Sequence, residues 1–176
     1  MVDFDRRIKR ASWDNNVYQC IGNVHGNTII SKGDLVFLDR VDGLRKRGTS
    51  TKDYYIYPFS DISGSTLTLA SNKALAVENF LGVATWHSDS GVTESISVEL
   101  EGLFCYPLKL SRTVKTGYTI IPVGSGTTLY SQKVGVDIDA DITYAIGKAA
   151  ESGEFKSSIE MFIKSRIFNA GAFVSA

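Results

Sequence analysis

The residue types able to do chemistry in this chain are few, and they crowd into short stretches. "WHSDS" puts Trp86, His87, Ser88, Asp89 and Ser90 side by side, which are the types of a hydrolytic triad. A triad places its base between a nucleophile and an orienting acid, and draws them from separate elements. Adjacent residues of one turn do not give that arrangement, so the stretch reads as a polar hairpin loop. "DIDAD" offers Asp137, Asp139 and Asp141 at the opening spacing of a calcium loop. The sixth position is then Ile142, where the loop needs glycine, and the twelfth is Lys148, where it needs glutamate. Alternate acids on an exposed strand face fit better. His25 and His87 are the only histidines, and neither has a cysteine or histidine partner at zinc spacing. "GSG" at Gly124 to Gly126 opens no helix and makes no dinucleotide fingerprint. No catalytic, cofactor-binding or metal-ligating residue is assigned, and the expectation is a protein without enzymatic activity.

The bulk properties agree with an ordinary soluble core. A chain of 176 residues is long enough for one domain with a full interior and short for two. Hydrophobic content of 43% and charged content of 22% are those of globular proteins. Nineteen basic residues balance nineteen acidic ones, so there is no bulk electrostatic reason to bind nucleic acid or an anionic membrane. No apolar stretch approaches the roughly 20 residues of a membrane span. The opening "MVDFDRRIKRASWDNN" is charged and lacks the apolar centre of a signal peptide, so a cytosolic product is expected. Cys20 and Cys105 are too few for a disulfide framework. Two reduced, packed thiols are expected, with a bridge between them as the alternative.

The elements that would carry these residues are short strands. Sixteen glycines and many Val, Ile, Thr, Tyr and Phe residues favour a β protein with tight turns. "NVYQCIG" and "NTIISKGDLVFLD" begin the strand signals, with a turn at Lys32-Gly33-Asp34 feeding Leu35 to Leu38. "GLRKRGTSTKDYY" from Gly43 to Tyr55 is a basic polar excursion, and "STLTLAS" alternates with Leu67 and Leu69 on one face. "NKALAVENF" from Asn72 to Phe80 is the first stretch able to turn helically. "TVKTGYTIIPV" repeats the turn-then-strand logic at Gly117.

One unit occurs twice. Leu81-Gly82-Val83-Ala84 and Ile146-Gly147-Lys148-Ala149 share an aliphatic-Gly-x-Ala step. Each is followed by a polar stretch turning at a glycine, Gly91 or Gly153, and by an alternating strand. The inward residues are Ile96, Val98 and Leu100 in one copy, and Ile159, Met161 and Ile163 in the other. Ser97, Glu99 and Glu101 are expected on the outer face. The glycine permits close backbone approach and the alanine keeps the crossing thin. The expected fold is all-β: a small β-sandwich or β-barrel built from a duplicated β unit, with one or two short helical turns. The expected organisation is an N-terminal arm at 1–14 and a single β domain at 15–176. Its related halves span about 30–104 and 113–168.

The stretch "FLGVATWHSDSGVTESISVELEGLF", Phe80 to Phe104, resembles the signature of capsid decoration (cement) proteins of tailed bacteriophages. In that family a hydrophobic-G-x-A step, a glycine-bearing turn and a v-x-V-x-L-x-G strand follow an upstream G-D-x-V strand. "KGDLVFLD" at Lys32 to Asp39 fits the upstream element, and "IGKAAESG" with "SIEMFI" looks like the downstream half of some members. The chain departs from the pattern in its basic arm and in the insertion from Gly43 to Tyr57. The resemblance implies an oligomeric β protein on the outer capsid surface of a virion, made in the host cytoplasm and bound to the major capsid protein. It implies a homo-oligomer, dimer or trimer, that bridges adjacent capsid subunits and stabilises the shell; the charge balance and the missing motifs add the expectation of no cofactor and no direct contact with nucleic acid or membrane. The alternative is a virion binding module, in a tail or surface protein that recognises host glycans.

Contact candidates come from residue type. Tyr54, Tyr55 and Tyr57 make an aromatic edge of the kind enriched at interfaces, with core or cross-strand packing as the competing reading. Arg6, Arg7, Lys9 and Arg10 could pair with an acidic capsid surface, and Trp13 could anchor them. That segment is either a solvated terminus or an arm that orders against a neighbouring subunit. Trp86, in its loop with His87, is a third candidate.

Overall fold

The computed structural model describes residues 19–39, 55–62, 68–138 and 142–167. Within them, two sets of five strands each close into a barrel. The first set is β1 (Gln19–Val24), β2 (Leu35–Asp39), β3 (Tyr55–Pro58), β4 (Phe80–Ala84) and β5 (Ile96–Glu99). The second is β6 (Glu101–Val114), β7 (Thr119–Ser125), β8 (Thr128–Asp137), β9 (Gly147–Ala149) and β10 (Gly153–Lys164). Leu100 alone separates β5 from β6, so Glu101 to Val114 already belong to the second barrel. Closure removes the open edges that would otherwise pair with other chains.

The duplication extends to whole barrels. The order is β1-β3-β2-β4-β5 in the first and β6-β8-β7-β9-β10 in the second, which is one order counted from each barrel's first strand. In both, the first and third strands run parallel, at Asn23↔Tyr55 and at Leu108↔Val134. The remaining pairings are antiparallel.

The glycines explain why the same plan forms twice. Gly33 and Gly117 hold φ of 91° and 88°, which an L side chain rarely adopts, and so turn the chain into β2 and β7. The Gly33 N–H then donates to the Ala84 carbonyl at 2.7 Å, and the Gly117 N–H to the Ala149 carbonyl at 2.8 Å. The Ala84 N–H returns a bond to the Asp34 carbonyl at 2.9 Å, and the Ala149 N–H to the Tyr118 carbonyl at 2.8 Å. Val36 faces Gly82 as Ile120 faces Gly147. A Cβ on Gly82 would collide with the Glu99 carbonyl, and one on Gly147 with the Phe162 carbonyl. The G-x-A step is thus the thin crossing that its letters predict.

Four local expectations are corrected. Leu69 does not sit in a strand: it opens helix α1 (Leu69–Glu78), because the Thr68 hydroxyl accepts from the Ser71 N–H at 3.1 Å and caps the first turn. The helix ends at Asn79, whose side-chain amide donates to the Leu75 carbonyl at 3.1 Å, short of the expected Phe80. Gly153, expected as the turn of the second copy, is the first residue of β10, within the reversal between Ala150 and Glu160, where the Ala150 N–H donates to the Glu160 carbonyl. Glu99 is buried rather than outward, since closure sets β1 alongside and Gln19 Nε2 donates to Glu99 Oε1 at 3.3 Å.

Among the described residues, two apolar clusters form the core. Val24, Val36, Ile56, Leu81, Ala84 and Val98 are among the residues packed inside the first barrel. The opposite faces of the same strands, at Leu35, Phe37, Tyr57, Phe80 and Val83, join α1 and the second barrel in one larger cluster. β4 is therefore buried on both faces, and "FLGVA" shows no alternation for that reason. The helix docks on the β7–β8 hairpin, where Asn72 Nδ2 donates to the Thr127 carbonyl at 2.6 Å. The tail of β10 returns to the first barrel, with Ser165 N–H donating to the Leu100 carbonyl and Arg166 N–H to the Phe80 carbonyl.

Candidate functional site

The polar groups with the strongest geometric constraint lie where the barrels meet. Asp34 follows the Gly33 turn and is only 7% exposed. Its Oδ2 accepts from the Ser31 N–H at 2.8 Å, and its Oδ1 accepts from Gln132 Nε2 of β8 at 2.9 Å. Burial pushes the Asp34 carboxyl above its ordinary range, with the Asp61 charge adding to the rise and the two hydrogen bonds opposing it. Beside it the Tyr106 hydroxyl of β6 donates to the Gly33 carbonyl at 2.7 Å. Tyr106 is fully buried, and burial first, then the Asp34 charge, raises its hydroxyl well above the usual phenol range. The Ser60 N–H donates to Ser131 Oγ at 2.9 Å across the same junction.

The residues singled out in the sequence are placed apart. Trp86 is 61% exposed, with its ring stacked on His87 at a centroid distance of 5.6 Å. Ser88 is buried, and its backbone pairs with Ile30 in both directions at 2.8 and 2.9 Å. Its hydroxyl is enclosed without a hydrogen-bond partner among the described residues, while His87 and Asp89 face solvent. The stretch lies in the connection between the antiparallel strands β4 and β5 and is bridged to Ile30 at Ser88.

Tyr55 is half-buried and meets His25 edge-on at 5.5 Å, beside a cavity of about 400 Å³. Tyr57 lies in the core at 3% exposure, tilted against Phe37, so packing claims that ring. Tyr55 pairs with Asp39 at one end of β2, whereas Trp86 follows the strand paired with Leu35 at the other. They do not form one patch. Arg6, Arg7, Lys9, Arg10, Trp13 and Tyr54 lie outside the described residues, as do Asp139 and Asp141. Cys20 and Cys105 are both free and half-buried, in β1 and β6 respectively, and burial raises the Cys20 thiol. Among the described residues no group of three or more His, Cys, Asp or Glu side chains is placed to hold a metal ion.

Two features had no sequence signal. The inter-barrel junction joins residues 98 positions apart at Asp34 and Gln132. Phe155 holds φ of 49° and is 81% exposed, at a break in the β6–β10 register. A bulky residue in that backbone region is an outlier that a turn or bulge must impose.

No family model matches the chain, and no curated protein matches it. Among solved structures, the head fiber gp8.5 N base of bacteriophage phi29 shares 12% identity at a TM-score of 0.43. The match covers 84% of this chain and 95% of that one. A likeness of that degree leaves the function to be argued from the chain's own residues.

Proposed function

We propose that the protein is a non-enzymatic structural component of a phage virion, a cement protein that binds the outer capsid surface and bridges adjacent major capsid subunits. The observation that carries this reading is the folding of the resemblance segments as one unit. "KGDLVFLD", "FLGVA" and "ISVE" become β2, β4 and β5, neighbours in one barrel and joined through the Gly82 crossing. The unit is built again around Gly147 in the second barrel. Two like barrels joined through one apolar cluster supply two faces, and bridging needs at least two. Each contact can be modest, because a body held at one point meets its next partner at high effective concentration. If the contacts match only the expanded shell, binding stabilises that state by its differential affinity. Self-association as a dimer or trimer would multiply the contacts further.

The test is the copy number of the protein in purified virions, by quantitative mass spectrometry against the major capsid protein. A ratio near one, or a simple fraction repeating over the lattice, is the expected result. A handful of copies would move the protein to a tail or vertex, and absence would overturn the reading.

A further inference from the structure

A cleft of about 600 Å³ opens between the barrels. Residues from 27 to 34 and the 3-10 turn Phe59–Asp61 line it from the first barrel, and Thr128 to Lys133 of β8 line it from the second. We propose that this cleft binds a neutral, hydroxyl-rich ligand of mono- or disaccharide size. The proposal is independent of capsid attachment and assigns a small-molecule site to the same body.

Size and preorganisation come first. Small-molecule sites occupy roughly 300–1,000 Å³ and favour the seams between structural units. The polar groups of this seam are fixed within the protein itself: Asp34 by Ser31 and Gln132, and Ser131 by the Ser60 N–H. Each carboxylate oxygen of Asp34 accepts one bond from these partners, and an anionic oxygen has room for more. Groups held in place lose little freedom when a ligand arrives.

The chemistry then selects the class. Carboxylates at Asp34 and Asp61 accept hydrogen bonds from hydroxyl groups, and the serine hydroxyls can donate or accept in turn. Ile29, 60% exposed at the rim, and the half-buried Tyr130 offer apolar surface to the C–H face of a sugar ring. An anion would meet both carboxylates, and the cleft's one lysine, Lys133, stands over the Tyr130 ring at 5.5 Å. A purely apolar ligand would desolvate Asp34 without giving it a partner. A neutral polyol satisfies acceptors and apolar rim together, and its binding is insensitive to salt.

The test is a titration of the full chain followed by amide NMR. The probes are glucose, galactose, N-acetylglucosamine, maltose and lactose, up to about 50 mM each, with putrescine as the cationic comparison. At least one sugar should shift the Asn27–Asp34 and Thr128–Lys133 amides saturably, with affinity unchanged by added salt. Asp61→Asn and Tyr130→Ala should each weaken that binding about fivefold or more, while the remaining spectrum stays that of the folded chain. Asp61→Asn is nearly isosteric, so it serves if Tyr130→Ala does not fold. No saturable shift with any sugar, shifts mapping elsewhere, or saturable binding of putrescine alone would each overturn the proposal. None of these outcomes depends on virion copy number.

Discussion

The two barrels share a strand order and a set of glycines, yet they use their interiors differently. The first barrel encloses its own small cluster around Val36 and Val98. The interior of the second, around Ile120, Met161 and Ile163, runs without a break into the layer between the barrels. Residues at matching places in the two units show where they were free to diverge. Turn glycines recur because a φ near +90° disfavours an L side chain, and crossing glycines because the carbonyl against them leaves no room for a Cβ. The residue after the turn differs: Asp34 reaches across to Gln132, while Tyr118 packs half-buried on the core. The next differs too, Leu35 joining the inter-barrel layer where Thr119 accepts from Lys148 Nζ at 2.9 Å. Backbone geometry holds the copies alike, and contact with the other barrel sets them apart.

The sharpest way to break this comparison is at the shared crossings. Gly82→Ala and Gly147→Ala each drive a Cβ into a backbone carbonyl, which cannot swing aside as a side chain can. Each should cost about 3 kcal/mol or more in urea unfolding. With a continuous core between the barrels, either substitution should move one shared transition. Two separate transitions would show that the barrels unfold independently.

A smaller effect is expected at the junction. Tyr106→Phe keeps the packing and removes only the hydroxyl that donates to Gly33. It should cost about 1–2 kcal/mol, the loss of one buried hydrogen bond. Stability equal to that of the parent would mean that packing alone joins the barrels at that point.

The smallest effect separates Asp34 from its counterpart Tyr118. Burial and the Asp61 charge hold the Asp34 carboxyl above its ordinary 3.8, so the folded state binds that proton more tightly than the unfolded state. This contribution is complete below the ordinary value and is lost as pH rises through the raised one. The stability of the parent relative to Asp34→Asn should therefore fall across that window and level off above it, in denaturant titrations at several pH values. Tyr118→Phe, which leaves every carboxyl in place, should show no such slope. A flat difference for Asp34→Asn would place the carboxyl in a wetter setting than its 7% exposure implies.

Much of the fold was legible along the chain. The Lys32-Gly33-Asp34 and Thr116-Gly117 turns, the G-x-A steps and the alternation of Ile159, Met161 and Ile163 are local signals, and each formed as its letters suggested. Failures came where a distant neighbour decided the outcome. Leu69 is the exception, a local miss that opens a helix because the adjacent Thr68 caps it, while Tyr57 took the packing reading because the second barrel covers that face of β3. Glu99 was buried once β1 closed against β5. Of the interface candidates, Trp86 stayed on the surface and Tyr55 partly so, while the junction around Asp34 went unread.

Sequence alone determined what depends on a few consecutive residues: period-two alternation, glycines with positive φ, a crossing too thin for a side chain, and the fact that the plan occurs twice. Tertiary structure decided that each copy closes into a barrel through a parallel pairing of its first and third strands. It also decided that the barrels fuse through one core and leave a polar cleft at their seam. Those outcomes rest on contacts between residues far apart in the chain, and such contacts depend on which surfaces are left to be covered once the local pieces have formed.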